Sequence, residues 1–123
     1  MRRPAPQRDI PPPLELECLK VLWDLGEGTV REVRQALSES RGLAYTTVLT
    51  LLDRLEKRGS VTRRKYGRYF IYTPKLSREA MQKHGVQELV DGFFGGSREA
   101  LMNYLRAAEH GAPPREVGML PSE

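Results

Sequence analysis

Cysteine occurs once in the 123-residue chain, as Cys18, and histidine twice, as His84 and His110. One thiol excludes an internal disulfide. A lone cysteine with two distant histidines makes no metal-ligand pattern, so neither a metal nor any other cofactor is expected. Cys18 reads instead as a small buried apolar residue on a helix. There is no glycine-rich phosphate loop, and neither histidine stands beside an acid pattern. Each reads as a surface residue on a helix, and the chain is not expected to be an enzyme. No apolar run approaches a membrane span, and the opening MRRPAPQRDIPPP has no apolar centre for a signal peptide. A cytoplasmic location is therefore expected. The length suits one domain, or one small domain with an appendage.

What is present is charge, and it is concentrated. Residues 44–73 carry seven cations (Arg54, Lys57, Arg58, Arg63, Arg64, Lys65 and Arg68) against Asp53 and Glu56. That quarter of the chain is +5, the remainder is −1, and the whole is +4. A basic field confined to one helix and one hairpin is what a phosphate backbone selects for.

In order, residues 1–13 hold five prolines and three arginines and read as a flexible or polyproline-like arm. The spacing of Cys18, Leu19, Leu22 and Leu25 predicts a helix over 14–25. Pro13 and Glu15 suit its start, and Gly26 and Gly28 its end. Trp23 is placed at the edge of the core, where its N–H can find a partner. Thr29 and Glu32 form a capping box that opens a second helix with Val30, Val33 and Leu37 inward. With a third helix over 45–58 these make a helix-turn-helix unit.

In that third helix Val48, Leu51, Leu52 and Leu55 share one face. At about 100° per residue the opposite face carries Thr46, Thr50, Asp53 and Lys57, flanked by Thr47 and Arg54. Thr46 and Thr50 lie toward the N-terminus, the end that reaches base edges in helix-turn-helix docking. Asp53 is expected to repel phosphate and lift the C-terminal half away. An ordinary surface helix would show the same polar face, so this element alone does not decide the matter. Gly59 ends the helix. Strands over 61–65 and 68–73 are predicted to turn at Tyr66-Gly67, with one alternating pair of Tyr69, Phe70, Ile71 and Tyr72 packed inward. Arg63, Arg64, Lys65 and Arg68 gather at the tip. An edge strand guarded against aggregation needs only one or two lysines, so four cations at one turn favour an anionic partner.

Beyond Pro74, Ser77 is predicted to cap a helix bearing Met81, Leu89, Val90, Phe93 and Phe94. Gly95-Gly96 break it, and Ser97 caps another helix with Leu101, Met102, Tyr104 and Leu105. Two such faces with no remaining core to cover them point to a second copy of the chain, and Met81, Leu89, Val90, Phe93, Phe94, Leu101, Tyr104 and Leu105 are the candidate dimer contacts. The tail over 111–123 is expected to be disordered.

The order ELECLKVLWDLGEGTVREVRQALSESRGLAYTTVLTLLDRLEKRGSVTRRKYGRYFIYTP resembles the penicillinase repressors, the BlaI/MecI/CopY family of bacterial winged-helix regulators. It continues more loosely into LVDGFFGGSREALMNYL. The resemblance implies a homodimeric repressor that binds a palindromic operator and blocks transcription. It places the start of the recognition helix at 44–50, making Ala44, Tyr45, Thr46, Thr47 and Thr50 the base-reading candidates. It places the wing at 63–68; Arg63, Arg64, Lys65 and Arg68 there, with Arg54 and Lys57 from the charged side of the third helix, are the phosphate candidates. Some members are inactivated when a membrane sensor-protease triggers cleavage between an Asn and an aromatic residue, and Asn103-Tyr104 occupies that place here. The copper-responsive branch carries C-terminal cysteine pairs, which this chain lacks. Leu49 stands where some members have a polar residue, so an operator sequence does not transfer.

The expected architecture is therefore mainly α with a small β-hairpin. A winged helix-turn-helix domain over 14–74 follows the 1–13 arm, and dimerisation helices over 75–110 precede the 111–123 tail. The competing reading is a winged-helix protein-interaction module that never reads DNA and whose basic wing meets an acidic protein surface.

Overall fold

The computed structural model describes residues 10–111, which divide after Gly85 into two compact units. In chain order the elements are α1 (Pro13–Leu25), α2 (Val30–Leu37), α3 (Tyr45–Arg58), β1 (Val61–Tyr66), β2 (Tyr69–Pro74), α4 (Arg78–Phe93) and α5 (Arg98–Glu109). This is the winged helix-turn-helix expected, mainly α with one antiparallel hairpin.

The first unit is built on three helices that bury the stripes their spacing defines. Cys18, Leu19 and Leu22 from α1 meet Val30, Val33 and Leu37 from α2 and Val48, Leu51, Leu52 and Leu55 from α3. Each such valine or leucine contributes about 1.5–3 kcal/mol when fully buried. Burial, with Glu15 and Glu17 nearby, pushes the Cys18 thiol up to about 12. The capping box of α2 is complete. Thr29 N–H donates to Glu32 Oε1 at 2.9 Å, and Glu32 N–H donates to Thr29 Oγ1 at 3.2 Å. Gly59, at φ +86°, closes α3 in the left-handed region where a side chain would be strained.

Several expectations shift. Leu25 is 48% exposed because α1 ends there on Gly26. Gly28 does more than stop a helix: its N–H donates to Tyr72 O and its O accepts from Tyr72 N–H, at 3.0 and 2.8 Å, so the turn after α1 adds one residue of strand to the hairpin. The hairpin pairs Arg63 with Tyr72, Lys65 with Phe70 and Tyr66 with Tyr69. Its turn is therefore Gly67-Arg68, one residue later than Tyr66-Gly67, with the positive φ falling on the glycine. Of the aromatic strand only Tyr72 enters the core; Tyr69 and Phe70 stay exposed.

Glu15, read as a helix-start acid, is buried and faces Arg58 Nε at 3.5 Å, joining the first turn of α1 to the last turn of α3. Trp23 Nε1 donates to Leu76 O at 2.9 Å, which is the partner its edge position requires. The arm is shorter than expected. Ile10 packs on the core, Pro11 is buried and Pro13 begins α1, so 10–13 belong to the fold; residues 1–9 lie outside the described residues.

Ser77 and Ser97 cap as expected, accepting from Ala80 N–H and Ala100 N–H at 3.0 Å each. Met81 is corrected. It is buried within the first unit's core, not on a dimer face, because the opening turns of α4 continue the cover begun by Leu76. In the second unit Gly95 and Gly96 both take positive φ between α4 and α5. Val90 is fully buried there, and the Phe94 and Tyr104 rings meet at 5.7 Å. Residues 112–123, most of the expected disordered tail, are outside the described residues.

Candidate nucleic-acid interface

The outer face of α3 is open. Ala44, Tyr45, Thr46, Thr47 and Thr50 are all exposed, while Val48 between them is buried. The capping position, Ala44, offers no side-chain acceptor to the first-turn amides. Thr50 Oγ1 donates back to Thr46 O at 3.0 Å, so the hydroxyl proton of Thr50 is already used inside the helix. Hydroxyls of this kind often bond one turn back rather than outward.

The cations fall into two groups. Asp53 holds Lys57 at 3.3 Å and Arg63 at 3.6 Å, and the Arg63 guanidinium lies over the Phe70 ring at 4.4 Å. The expected repulsion of phosphate by Asp53 is thus offset in place, because two cations already face its carboxylate. Arg64 grips Glu27 with both terminal nitrogens, at 3.2 and 3.3 Å. Thr73 Oγ1 adds a third bond to the same carboxylate at 3.3 Å. The Arg64 hydrogen bond, then its charge, then Thr73 hold the Glu27 carboxyl below its ordinary value. Ion pairs this open to water are weak, so phosphate can compete for these three cations. By contrast Arg54, Lys65 and Arg68 face no carboxylate among the described residues.

Two features lay beyond the sequence reading. A cleft of about 700 Å³ between α2 and the loop into α3 is lined by Arg31, Arg34, Gln35, Ser38, Gly42, Leu43 and Ala44. Arg34 Nε donates to Leu43 O at 3.0 Å and so fixes that loop. A second groove, about 560 Å³, runs between α2, α3 and the wing and is lined by Tyr45, Leu49, Tyr69 and Phe70 with Arg31 and Arg68. The sequence marks Leu49 only as a departure from a polar residue; its wheel position beside Thr46 and Thr50 puts it on the same open face.

The candidate dimer residues separate in the second unit. Leu89, Phe93, Tyr104 and Leu105 are exposed, Phe94 and Leu101 are half-buried, and Val90 is fully covered. Asn103 lies in the middle of α5, where its Oδ1 accepts from Arg106 Nη1 at 3.0 Å.

The family described as penicillinase repressor matches this chain over residues 12–120. The chain belongs to the penicillinase repressor family. Among family members, the penicillinase repressor of Bacillus licheniformis is 30% identical over 92 residues, covering 74% of this chain and 72% of its own. The transcriptional regulator BlaI of Mycobacterium tuberculosis is 38% identical over 99 residues, covering 72% of this chain and 66% of its own. The solution structure of the DNA binding domain of the repressor BlaI aligns with a TM-score of 0.53 at 32% identity. That alignment covers 60% of this chain and 90% of that one. This penicillinase repressor family member shares that domain's winged-helix fold.

Proposed function

We propose that the chain is a DNA-binding transcriptional repressor that acts as a homodimer on a palindromic operator. The observation that carries this reading is the exposed threonine face of α3 together with three cations, Arg54, Lys65 and Arg68, that face no carboxylate among the described residues. The N-terminal half of α3 enters the major groove, where Ala44, Tyr45, Thr46, Thr47 and Thr50 meet base edges. Lys65 and Arg68 at the wing tip and Arg54 on the helix neutralise phosphate, with Lys57, Arg63 and Arg64 recruited from their ion pairs. Phosphate contacts supply affinity and register, and base contacts supply selectivity.

Two half-sites are needed for useful discrimination, and the second unit offers the means. Phe93, Met102 and Leu105 are apolar and open to solvent, a surface suited to a second copy. Relief of repression follows from cutting α5 at Asn103-Tyr104 under control of a membrane sensor-protease. The bond lies within a helical turn, so α5 must open locally before a protease can take it as an extended strand.

The test is a titration of the full chain against duplexes from the region upstream of its own coding sequence. Affinity should fall about 10³- to 10⁵-fold between about 50 and about 200 mM salt if six to ten phosphates are contacted. Absence of binding at low salt would return the chain to the protein-interaction reading.

A further inference from the structure

On the helix surface Tyr45 and Leu49, Thr46 and Thr50, and Thr46 and Leu49 are neighbours one turn apart, so the four form a continuous patch. Its chemistry is less polar than its threonines suggest. Thr50 Oγ1 is turned back onto Thr46 O, which leaves the methyl group as what that side chain presents outward. Leu49 and Tyr45 are 37% and 46% exposed, and Phe70 on the wing continues the strip across the groove. The rim carries two cations, Arg31 and Arg68, against one acid, Glu32, whose carboxylate is engaged by the Thr29 amide. An apolar strip rimmed by cations suits a surface where methyl groups lie beside phosphates, and does not suit a wholly apolar protein face.

We propose that this strip reads the 5-methyl group of thymine in the major groove, with Leu49 and the Thr50 methyl as specificity-determining contacts. The inference rests on α3 docking in that groove as proposed above. Thymine is the one base that offers a methyl there. With its proton spent, the Thr50 hydroxyl can only accept. It therefore cannot donate to guanine O6 or N7; it is left to accept from adenine or cytosine or to present its methyl, and Thr50→Val separates these two roles.

The full chain is first used to select bound duplexes from a random-sequence pool, and each thymine of a selected site is then replaced in turn by deoxyuridine. At one or two thymines per half-site, loss of the methyl should weaken binding about two- to fourfold, the worth of one partly to fully desolvated methyl. Leu49→Ala and Thr50→Ser should each bind more weakly and lose part of that sensitivity. Thr50→Val, which keeps the methyl and removes the hydroxyl, should retain it. Both positions are exposed, so folding is not at stake. Selective, salt-sensitive binding that ignores every thymine-to-uracil change would overturn this inference alone. So would a Thr50→Val loss equal to that of Thr50→Ser. Failure to bind any duplex at low salt would overturn the repressor reading as well.

Discussion

Asp53 Oδ1 in α3 lies 3.6 Å from Arg63 Nη1 in β1, so α3 and the wing are joined by a charge pair on the face proposed to meet DNA. The same carboxylate holds Lys57, and Arg63 in turn covers the Phe70 ring. An acid in that position works against phosphate binding while holding the two elements at a fixed spacing.

Asp53→Asn should therefore tighten binding to arbitrary sequences and loosen discrimination. Freed Lys57 and Arg63 would each add about one released counterion, and the slope of log affinity against log salt should steepen by about one to two. Thermal stability should fall by less than about 1 kcal/mol, as for other exposed pairs. Salt titrations with a selected site and a scrambled duplex measure both slopes. Unchanged slopes would show that the pair does not hold cations back from DNA.

Arg68→Ala and Arg64→Ala should differ. Arg68 faces no carboxylate among the described residues, so its loss should weaken all sequences alike and lower the salt slope by about one. Arg64 is already engaged by Glu27. Its loss should cost less DNA affinity and should instead loosen the wing. Hydrogen exchange at the Gly28 and Tyr72 amides would register that loosening in Arg64→Ala alone.

The Glu27 contact has a pH signature. Its carboxyl is held below the ordinary 4.5 in the folded chain. Its stabilising contribution is therefore complete above that value and is lost as pH falls through the lowered one. In Glu27→Gln this component of the stability-against-pH curve should vanish below about pH 4.5, with no difference in slope between pH 6 and 8. Denaturant melts across that range test it. A persistent acid-range slope difference at Thr73→Val but not at Glu27→Gln would assign the effect elsewhere.

Phe93→Asp with Leu105→Asp should give a monomer by analytical ultracentrifugation and reduce operator affinity, while leaving the first unit's melting unchanged. These two positions suit the test because both side chains are exposed, whereas Phe94 already packs on Tyr104. A double variant that still sedimented as a dimer would remove the second unit from the interface.

What the sequence made legible follows one physical rule: interactions within a few residues leave a pattern, and those between distant residues do not. The stripes of α1, α2 and α3, the Thr29–Glu32 box and the Ser77 and Ser97 caps are local and were readable. Glu15 looked like an acid at a helix start because its partner, Arg58, comes from another helix. The Gly28–Tyr72 bridge is a single backbone crossing with no side-chain signature. Met81 sits on a helix whose apolar residues looked alike, and only the cover of the first core separates it from the rest. At the site, the open threonine face was readable from the wheel. The engagement of Lys57, Arg63 and Arg64 was not, since Asp53 and Glu27 select their partners through the fold.

Cys18 gives the chain a built-in reporter. Its thiol is fully covered, and that burial pushes it up to about 12, so in the folded chain it is neither reachable nor ionised at neutral pH. An alkylating reagent can therefore label the protein only when α1 leaves the core. Because no other cysteine exists, the labelling rate counts openings of the first unit directly. The same vial thus allows the lifetime of the folded first unit to be followed with and without DNA, with no engineered probe.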